Sequence, residues 1–377
     1  MKEVYITKIA KFLPNKPVSN DEMELRLGLI NNMPSKARRI VLRNNQIKTR
    51  YYALDEKGNV THNNAQLTTE AIKLLCDGDF KANQIELLSC GTSSPDQIMP
   101  SHASMVHGFL KNGNTELNSV SGVCCSGMNA LKYGFMSIKS NLTKNAVCTG
   151  SERPSTWMKS NLFEEEAHYL KALEEKPIIA FQKDFLRWML SDGAGAFLLE
   201  DKPNGKTPLK IEWMEGFSYA HELEACMYSG SDKLENGFLK PWSEFESKDW
   251  GEKSIFAIKQ DTKLLGKNVL VKGVESLKNA IEKHNLKAED ITYYLPHISS
   301  YYFKEGLYDA MQKQGVNIPW KNWFINLEKV GNVGSASIYI MLEELVHSGK
   351  LKKGDVILLS VPESARFSYT YARLTVC

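Results

Sequence analysis

The sequence lacks long apolar runs, blocks of like charge and CxxC pairs, and each absence excludes a class of protein. No apolar stretch approaches the roughly 20 residues that a membrane-spanning helix needs. The N-terminal stretch "MKEVYITKIAKFLP" lacks the apolar core and small-residue cleavage site of a signal peptide. The net charge is +3 and the basic residues are scattered, so a nucleic-acid surface is not indicated. We expect a folded cytoplasmic protein without a membrane span.

Signatures of metal and nucleotide sites are missing as well. "GNVGSAS" lacks the Lys-Ser/Thr ending of a phosphate-binding loop, and "DGAGAF" begins a strand instead of following one. "HELEA" at 221–225 has Ala225 where a zinc-protease helix would carry its second histidine. The seven cysteines are odd in number and lie mostly in apolar surroundings, as reduced core thiols do. We expect no metal, no nucleotide cofactor and no disulfide framework.

The patterns that are present indicate a folded α/β protein. Hydrophobic residues make up 42% and charged residues 24% of the chain, which are ordinary globular values. Short apolar runs alternate with amphipathic stretches, which predicts buried strands separated by helices. The predicted strands are "QIELLSC", "NAVCTG", "AGAFLLE", "ITYYLPH" and "GDVILLSVP", and the predicted helices span 64–77, 101–111, 127–140, 273–285, 300–314 and 334–348.

A segment rich in Pro, Gly and Lys, "KPNGKTP" at 202–208, is the predicted junction between two parts of similar size. Two less regular stretches, 153–188 and 216–260, hold most of the tryptophans. Long irregular insertions in compact α/β proteins often cover a substrate pocket. A solvated excursion that stabilises a dimer is the alternative interpretation of both stretches.

Three short stretches are candidates for chemistry. In "SGVCCSGMNALKYGF" at 121–135, a cysteine at a strand-to-helix junction lies at the positive end of the helix dipole, which favours the thiolate. His297 follows an apolar strand, and Asn332 lies between two glycines ahead of a helix. Each also has a structural interpretation, namely a buried inert thiol, a hydrogen-bonded histidine and a left-handed turn residue. Taken singly, each stretch favours its structural interpretation.

In this order and at these separations, the three stretches resemble the β-ketoacyl-acyl-carrier-protein synthase III-like condensing enzymes of the thiolase superfamily. Five further strings are similar to that family. "PVSNDEME" resembles its Asn-Asp-Asp/Glu stretch, "IVLRNNQIKTRYYA" its Gly-Ile-x-x-Arg segment, "CGTSSPDQIMPSHA" its Thr-Ser-x-Pro-Asp and Pro-Ser-x-Ala run, "SDGAGAFLLE" its Gly-Asp-Gly-Ala-Gly-Ala strand and "KKGDVILLS" its last core strand. The resemblance covers nearly the whole chain.

This resemblance implies a thiolase fold, with two similar βαβαβαββ halves in a five-layer α-β-α-β-α arrangement. The N-terminal half, 1–204, would carry the nucleophilic cysteine and an inserted segment at about 153–188. The C-terminal half, 205–377, would carry the catalytic histidine and asparagine. A homodimer is also implied.

Within the resemblance, Cys125 takes the position of the nucleophile because a small residue, a glycine and a bulky residue follow it. Cys124 takes a position usually held by a small core residue and is expected to pack behind Cys125. His297 and Asn332 fall on the other two catalytic positions. These assignments imply an acyltransferase in which the Cys125 thiolate accepts an acyl group from a thioester.

His297 and Asn332 would then stabilise the enolate oxygen of a second, malonyl- or β-ketoacyl-, thioester. The new carbon–carbon bond forms when this enolate attacks the acyl group on Cys125. The backbone N–H of Cys125 and another from the C-terminal loop are the expected donors to the acyl oxyanion. The substrates implied are acyl-CoA or acyl-carrier-protein thioesters, without a cofactor.

Two stretches depart from the family pattern. "SVPESARFSYTYARL" replaces the glycine-rich segment that follows the last core strand, and "HISS" replaces the usual His-Gln-Ala-Asn. Ser364, Ala365 and Arg366 in the first departure are candidate substrate-binding residues. Met99 is a further candidate, since it resembles the position that reaches across the dimer to the floor of the acyl pocket.

These departures resemble a subgroup associated with dialkylresorcinol and flexirubin-type pigment assembly, whose members join two fatty-acid-derived thioesters and close a ring. Two alternatives stay open. One is a thiolase-fold acyltransferase that moves the acyl group to an oxygen or nitrogen acceptor without condensation. The other is a catalytically silent subunit, which the presence of Cys125, His297 and Asn332 disfavours.

Overall fold

The computed structural model describes residues 2–35, 38–76, 78–160 and 186–377. Residue 77 of the predicted helix 64–77 and most of the predicted inserted segment 153–188 lie outside these ranges. The strands are β1 (Tyr5–Phe12), β2 (Val18–Ser19), β3 (Thr49–Arg50), β4 (Leu87–Thr92), β5 (Glu116–Ser121), β6 (Asn145–Glu152), β7 (Gly193–Glu200), β8 (Leu209–Ser218), β9 (Met227–Tyr228), β10 (Ser231–Lys233), β11 (Leu239–Pro241), β12 (Lys259–Gln260), β13 (Tyr293–Pro296), β14 (Val356–Glu363) and β15 (Ser368–Val376).

Helices alternate with these strands along most of the chain. The α-helices are α1 (Met23–Leu27), α2 (Arg38–Asn45), α3 (Asn64–Leu75), α4 (His102–Leu110), α5 (Cys125–Lys139), α6 (Ser247–Glu252), α7 (Thr262–Lys283), α8 (Lys304–Lys313), α9 (Leu327–Val330) and α10 (Ser337–His347). Short 3₁₀ helices span Ile30–Asn32, Ala82–Gln84, Pro154–Trp157, Trp242–Glu244, Ala288–Asp290, Tyr301–Phe303, Trp320–Asn322 and Gly334–Ala336.

Within the described ranges the main sheet has nine strands, in the order β13-β14-β15-β8-β1-β7-β6-β4-β5. β1 and β8 pair through Tyr5 with Lys210 and Ile6 with Leu209, and this short ladder joins two sets of strands. In the first set β7 is antiparallel to β1 and β6, and β4 is parallel to β6. In the second set β15 is antiparallel to β8 and β14, and β13 is parallel to β14. The two sets therefore repeat one order of strand directions, and "KPNGKTP" connects them.

Helices separate and cover the two strand sets. α5 and α10 lie between the sets, and their apolar side chains pack in one core with residues from both. α3 and α4 cover the outer face of the first set in a second core. α7 and α8 cover the outer face of the second set in a third core. The structure thus has the expected five layers of helix, sheet, helix, sheet and helix.

Glycines allow the two halves to approach closely at the centre. A Cβ atom on Gly127 of α5 would lie 2.3 Å from the Ser335 carbonyl oxygen, and one on Gly150 of β6 would lie 2.4 Å from that oxygen. Distances below 3 Å are not tolerated between such atoms, so these positions require glycine. The Tyr339 hydroxyl of α10 donates to the Gly127 carbonyl at 2.8 Å and ties the central helices together.

The five predicted strands all form, and most predicted helices begin and end within a few residues of their expected bounds. The prediction of a helix at 273–285 was wrong at its start, because α7 begins eleven residues earlier, at Thr262. Asp261 caps this end, and its carboxylate accepts hydrogen bonds from the Lys263 and Leu264 N–H groups. Gly266 and Gly273 weaken the helical pattern in the sequence, but both lie within the helix.

Among the described residues, no helix has both the length and the hydropathy needed to cross a bilayer. Across the same residues, no group of three or more His, Cys, Asp and Glu side chains is arranged to hold a metal ion. The seven cysteines are free thiols.

Candidate active site

The two adjacent cysteines lie where the chain turns from β5 into α5. Cys124 precedes the helix with a backbone that is already helical (φ −57°, ψ −34°), and Cys125 is its first residue. The Ser126 hydroxyl donates to the Val123 carbonyl at 2.7 Å and closes the turn. The first N–H groups of a helix have no acceptor within the helix. The Cys125 N–H is therefore available to a group outside α5.

The Cys125 thiol is buried against the second strand set. It donates to the Val361 carbonyl at 3.3 Å, and the Thr370 hydroxyl lies 3.5 Å from its sulfur. Burial raises the pKa of this thiol, and the Glu363 carboxylate raises it further. In this conformation the expected stabilisation of a thiolate by the helix dipole is outweighed, because the sulfur has left water and faces a carboxylate.

Cys124, in contrast, lines an internal cavity of about 120 Å³. We expected Cys124 only to pack behind Cys125, but its side chain belongs both to the central core and to the cavity wall. Successive side chains on a helix point about 100° apart, so one thiol of the pair faces the cavity while the other faces β14. The structure does not bring the Cys125 thiol itself to the cavity wall.

The cavity is lined by both polar and apolar side chains. The polar ones include Cys124, His297, Asn332, Ser299 and Ser364. The others include aliphatic side chains of α7 and tyrosines of the second strand set, namely Leu265, Val269, Leu270, Leu277, Tyr294, Tyr369 and Tyr371. Met227, Ile258 and Gln260 also line the cavity, so the segment 216–260 contributes to its wall.

His297 reaches the cavity from the end of β13. The backbone N–H of His297 donates to the Ser360 carbonyl at 2.8 Å. This bond continues the pairing of β13 with β14 and fixes the backbone at His297. Only 3% of the residue is exposed, and burial lowers its pKa to about 4. The imidazole is therefore neutral at physiological pH and carries one N–H donor.

Asn332 reaches the same cavity from the loop before α10. The backbone N–H of Asn332 donates to the Met189 carbonyl, and the backbone carbonyl of Asn332 accepts from the Ser191 N–H, both at 2.9 Å. Its side-chain oxygen accepts from the Gly334 N–H at 2.9 Å. Because that oxygen is already engaged, the amide NH₂ is the group available to donate to a ligand.

Glu152, the last residue of β6, is a buried carboxylate on the cavity wall that sequence reasoning missed. It accepts hydrogen bonds from the N–H and hydroxyl of Ser93, the hydroxyl of Ser94 and the N–H of Ser335. Burial raises its pKa, although these donors favour the charged form. The available signal was a glutamate close to the end of the predicted strand "NAVCTG", and His297 was identified from a similar position near the end of another strand.

Glu363, the last residue of β14, was missed as well. Its Oε2 accepts from the N–H groups of Val123 and Cys125 at 3.1 and 3.2 Å. Burial raises its pKa, and the two N–H groups oppose that shift. The Cys125 N–H, expected to bind the acyl oxyanion, is thus bonded to a carboxylate in this structure. The sequence did mark Glu363 in one respect, because it is an acidic residue in a segment where the resembling family has glycines.

The four candidate substrate-binding residues are distributed over different surroundings. Ser364 lines the cavity with the catalytic candidates. Ala365 lies in the turn between β14 and β15, where its carbonyl accepts from the chain at 226–227. Arg366 is exposed and borders a separate surface groove. Met99 is 83% exposed and does not line the cavity in this single chain.

Two family profiles match this chain, one in each half. Residues 81–204 match the family described as "Beta-ketoacyl synthase, N-terminal domain". Residues 281–362 match the family described as "3-Oxoacyl-[acyl-carrier-protein (ACP)] synthase III C terminal". The first range includes the adjacent Cys124 and Cys125, and the second includes His297 and Asn332.

Individual proteins resemble the chain over most of its length. The beta-ketoacyl-[acyl-carrier-protein] synthase III of Clostridium tetani is 27% identical over 369 residues, which cover 95% of this chain and 94% of that protein. The protein of the same name from Clostridium perfringens strain SM101 is 29% identical over 314 residues, which cover 83% of each. The solved structure titled "AbyA1 - tetronic acid condensing enzyme" superposes with a TM-score of 0.75 and 19% identity over 99% of both chains.

Proposed function

The chain belongs to the β-ketoacyl-acyl-carrier-protein synthase III-like family of thiolase-fold condensing enzymes, and we propose that it joins two acyl thioesters through an acyl group held on Cys125. It is an acyltransferase of the condensing class. The observation that supports the detailed proposal is a convergence of three distant segments. The loop before α5, the end of β13 and the loop before α10 meet at one cavity.

The first step is transfer of an acyl group to Cys125. Its thiol must turn from the Val361 carbonyl toward the cavity, which requires a rotation about one side-chain bond between staggered positions. The sulfur then attacks the thioester carbonyl, and the thiol of coenzyme A or of the carrier leaves. A new thioester on Cys125 holds the acyl group and divides the condensation into two easier reactions.

The second step is attack by the enolate of another thioester. The neutral imidazole of His297 and the amide NH₂ of Asn332 are the donors for its oxygen. Donors that are fixed before the reaction stabilise a developing negative charge better than water does, because they need not reorganise. The enolate forms by loss of carbon dioxide from a malonyl group or of the α-proton from a β-ketoacyl group. Its carbon attacks the acyl carbonyl, the bond from that carbonyl carbon to the Cys125 sulfur breaks, and the Cys125 thiolate takes up a proton.

The cavity wall supports fatty acyl groups as substrates. Leu265, Val269 and Leu277 of α7 line it together with Tyr294 and Tyr369, and a lining with so many apolar side chains suits alkyl chains. We propose acyl-CoA or acyl-carrier-protein thioesters, with a malonyl- or β-ketoacyl-thioester as the second substrate. Closure to a dialkylresorcinol precursor is the finer proposal, and the departure at "HISS", whose Ser299 lines the cavity, supports it.

We propose a homodimer in the cytoplasm. Ile98 and Met99 are adjacent, apolar, and 74% and 83% exposed on the single chain, and contact with a second copy would remove this apolar surface from water. Among the described residues β5 is an edge strand of the main sheet, and its outer side could pair with a strand of a second copy. The free state of all seven cysteines supports a reducing compartment.

The proposal is tested by acyl transfer from octanoyl-CoA, followed by intact-mass measurement and peptide mapping. We expect one octanoyl group on Cys125 in the wild-type protein and in the Cys124→Ala variant. The Cys125→Ala variant should gain none, because Cys124 lacks the predicted oxyanion donors. Cys124→Ala is the matched control, since it removes the neighbouring thiol that faces the cavity.

An octanoyl group on the Cys125→Ala variant, with none on Cys124→Ala, would instead identify Cys124 as the nucleophile. A chase of the acylated wild-type protein with a second thioester separates the two candidate reactions. Condensation consumes the second thioester and yields a product with a new carbon–carbon bond. Transfer to an oxygen or nitrogen acceptor leaves the second thioester unchanged and contradicts the proposal.

A further inference from the structure

A carboxylate occupies the position at which the acyl oxyanion is expected to bind. Glu363 Oε2 lies 3.2 Å from the Cys125 nitrogen and 3.1 Å from the Val123 nitrogen. Val123, whose N–H donates to this carboxylate, and the two chain neighbours of Glu363, Pro362 and Ser364, line the cavity. The carboxylate is therefore at the edge of the cavity, beside the backbone of the residue that would carry the acyl group.

This carboxylate hinders the first half of the reaction. It takes the Cys125 N–H as acceptor, and its negative charge raises the pKa of the Cys125 thiol. It would also repel the carboxylate of a malonyl group that approached the same thiol. A residue with these three unfavourable effects at a nucleophile calls for a role later in the reaction.

We propose that Glu363 is the general base of the condensation and that the second substrate is a β-ketoacyl thioester without a free carboxylate. The inference rests on the proposed function, because it requires an acyl group on Cys125. A malonyl group needs no base, since loss of its carboxylate generates the carbanion directly. A β-ketoacyl thioester must lose a proton from the carbon between its two carbonyl groups.

The hydrogen bonds give an order of events. When Cys125 is acylated, the acyl carbonyl oxygen takes the Cys125 N–H and displaces Glu363 toward the cavity. The displaced carboxylate is then adjacent to the acyl group that the second thioester must approach. Only one of its two oxygens is bonded among the described residues, so the other is available to accept a proton.

The step balances without a further reactant. The Cα–H bond of the β-ketoacyl thioester breaks, and its proton moves to Glu363 while the electron pair forms the enolate. The enolate carbon bonds to the acyl carbonyl carbon, and the bond from that carbon to the Cys125 sulfur breaks. The departing thiolate takes the proton from Glu363, which restores the thiol and the carboxylate.

Protonation of Glu363 by the α-proton also removes the repulsion between its carboxylate and the oxyanion of the tetrahedral intermediate. A charged carboxylate beside the oxyanion of the tetrahedral intermediate would destabilise it. Once Glu363 has accepted the α-proton, it is a neutral acid and can donate a hydrogen bond to that oxyanion. The same side chain thus acts first as base and then as donor, at a position from which it contacts both reacting groups.

The test compares two second substrates on the octanoylated protein, 3-oxooctanoyl-CoA and malonyl-CoA. In the Glu363→Gln variant we expect the octanoyl adduct on Cys125 to form. Its condensation with 3-oxooctanoyl-CoA should fall 100-fold or more, as loss of a general base predicts. Its use of malonyl-CoA should stay the same or rise, because a like charge has been removed.

Two further variants complete the test. Glu363→Asp keeps a carboxylate and should restore part of the lost condensation, which a purely structural role would not predict. Glu289→Gln removes an exposed carboxylate and should behave as the wild type. Condensation of 3-oxooctanoyl-CoA by Glu363→Gln at a rate within twofold of the wild type, or equal losses with both substrates, would overturn the inference. Absence of the adduct from the wild-type protein would overturn the proposed function itself.

Discussion

Strands β6 and β14 take equivalent places in the two strand sets, and each has eight residues and ends in a glutamate. Each lies between an antiparallel neighbour and a parallel one. Both terminal glutamates, Glu152 and Glu363, are near the cysteines, and burial raises the pKa of both carboxyls. They differ in what holds them.

Glu152 is held on both oxygens by donors from two separate segments, at Ser93–Ser94 and at Ser335. Glu363 is held on one oxygen by two N–H groups of a single loop. Repetition of one strand pattern has therefore placed an acid at each strand end with different freedom to move. A carboxylate clamped from two sides anchors the structure, whereas one held by a single loop can exchange partners during a reaction.

The largest expected effect is on stability, and it separates the two glutamates. Glu152→Ala leaves four donors without their acceptor, namely the Ser93 and Ser335 N–H groups and the Ser93 and Ser94 hydroxyls, which should cost about 3 kcal/mol or more. Glu363→Ala leaves only the Val123 and Cys125 N–H groups without theirs and should cost about 1 kcal/mol. Denaturant unfolding followed by circular dichroism measures both changes.

The matched variants Glu152→Gln and Glu363→Gln keep an acceptor oxygen and should each restore part of the lost stability. Equal losses for the two alanine variants would contradict the distinction between an anchor and a mobile acid. A greater loss of unfolding free energy for Glu363→Ala would reverse the distinction, and Glu363 would then be the carboxylate that stabilises the fold more.

A second, smaller effect is expected two residues before each glutamate, where β6 has Gly150 and β14 has Val361. A Cβ on Gly150 would lie 2.4 Å from the Ser335 oxygen and 3.1 Å from the Ala336 Cα, both backbone atoms. Gly150→Ala must therefore displace the loop that carries Asn332, at a cost of about 1–3 kcal/mol. We expect a lower kcat for condensation together with a lower unfolding midpoint.

Gly266→Ala in α7 is the control, because a Cβ there meets nothing within 4 Å and alanine favours the helix. It should leave both the midpoint and kcat near wild-type values. If Gly150→Ala behaved like Gly266→Ala, the end of β6 would not be fixed against the second half of the chain.

The buried strands and central helix could be predicted from the sequence because their signals are local. "NAVCTG" and "GDVILLSVP" are continuous apolar runs, and both form strands with buried residues throughout most of their length. The resemblance then related Cys125, His297 and Asn332 to one another, which local patterns do not. His297 and Asn332 do meet at one cavity, whereas the thiol of Cys125 is turned away from it.

The partners of the site could not be predicted in the same way. The contact between Glu363 and the Cys125 N–H joins residues 238 positions apart, and nothing local to "SVPESARF" indicates where that carboxylate points. The orientation of the two thiols depends on the exact residue at which α5 begins. The extended start of α7 depends on the cap at Asp261, which overrides two glycines in the helix.

The smallest expected effect concerns the charge that Glu363 places beside Cys125. The carboxylate raises the pKa of the Cys125 thiol, so its replacement by glutamine should lower that pKa and increase the thiolate fraction at any given pH. Alkylation by iodoacetamide follows the thiolate. In a Cys124→Ala background, Glu363→Gln should therefore accelerate alkylation of Cys125 several-fold at pH 8, as measured by peptide mass spectrometry.

In the Glu363→Gln variant the pH at which alkylation of Cys125 reaches half its maximal rate should also be lower. A lower midpoint indicates a change in the electrostatic environment of the thiol, whereas a change in its accessibility alone would alter the rate and leave the midpoint unchanged. Glu152→Gln in the same background is the matched control, since Glu152 contributes to the raised pKa of Cys124 and not to that of Cys125. It should leave the Cys125 midpoint in place. A faster rate at an unchanged midpoint would mean that Glu363 only obstructs the thiol, and the electrostatic difference between the two strand ends would then disappear.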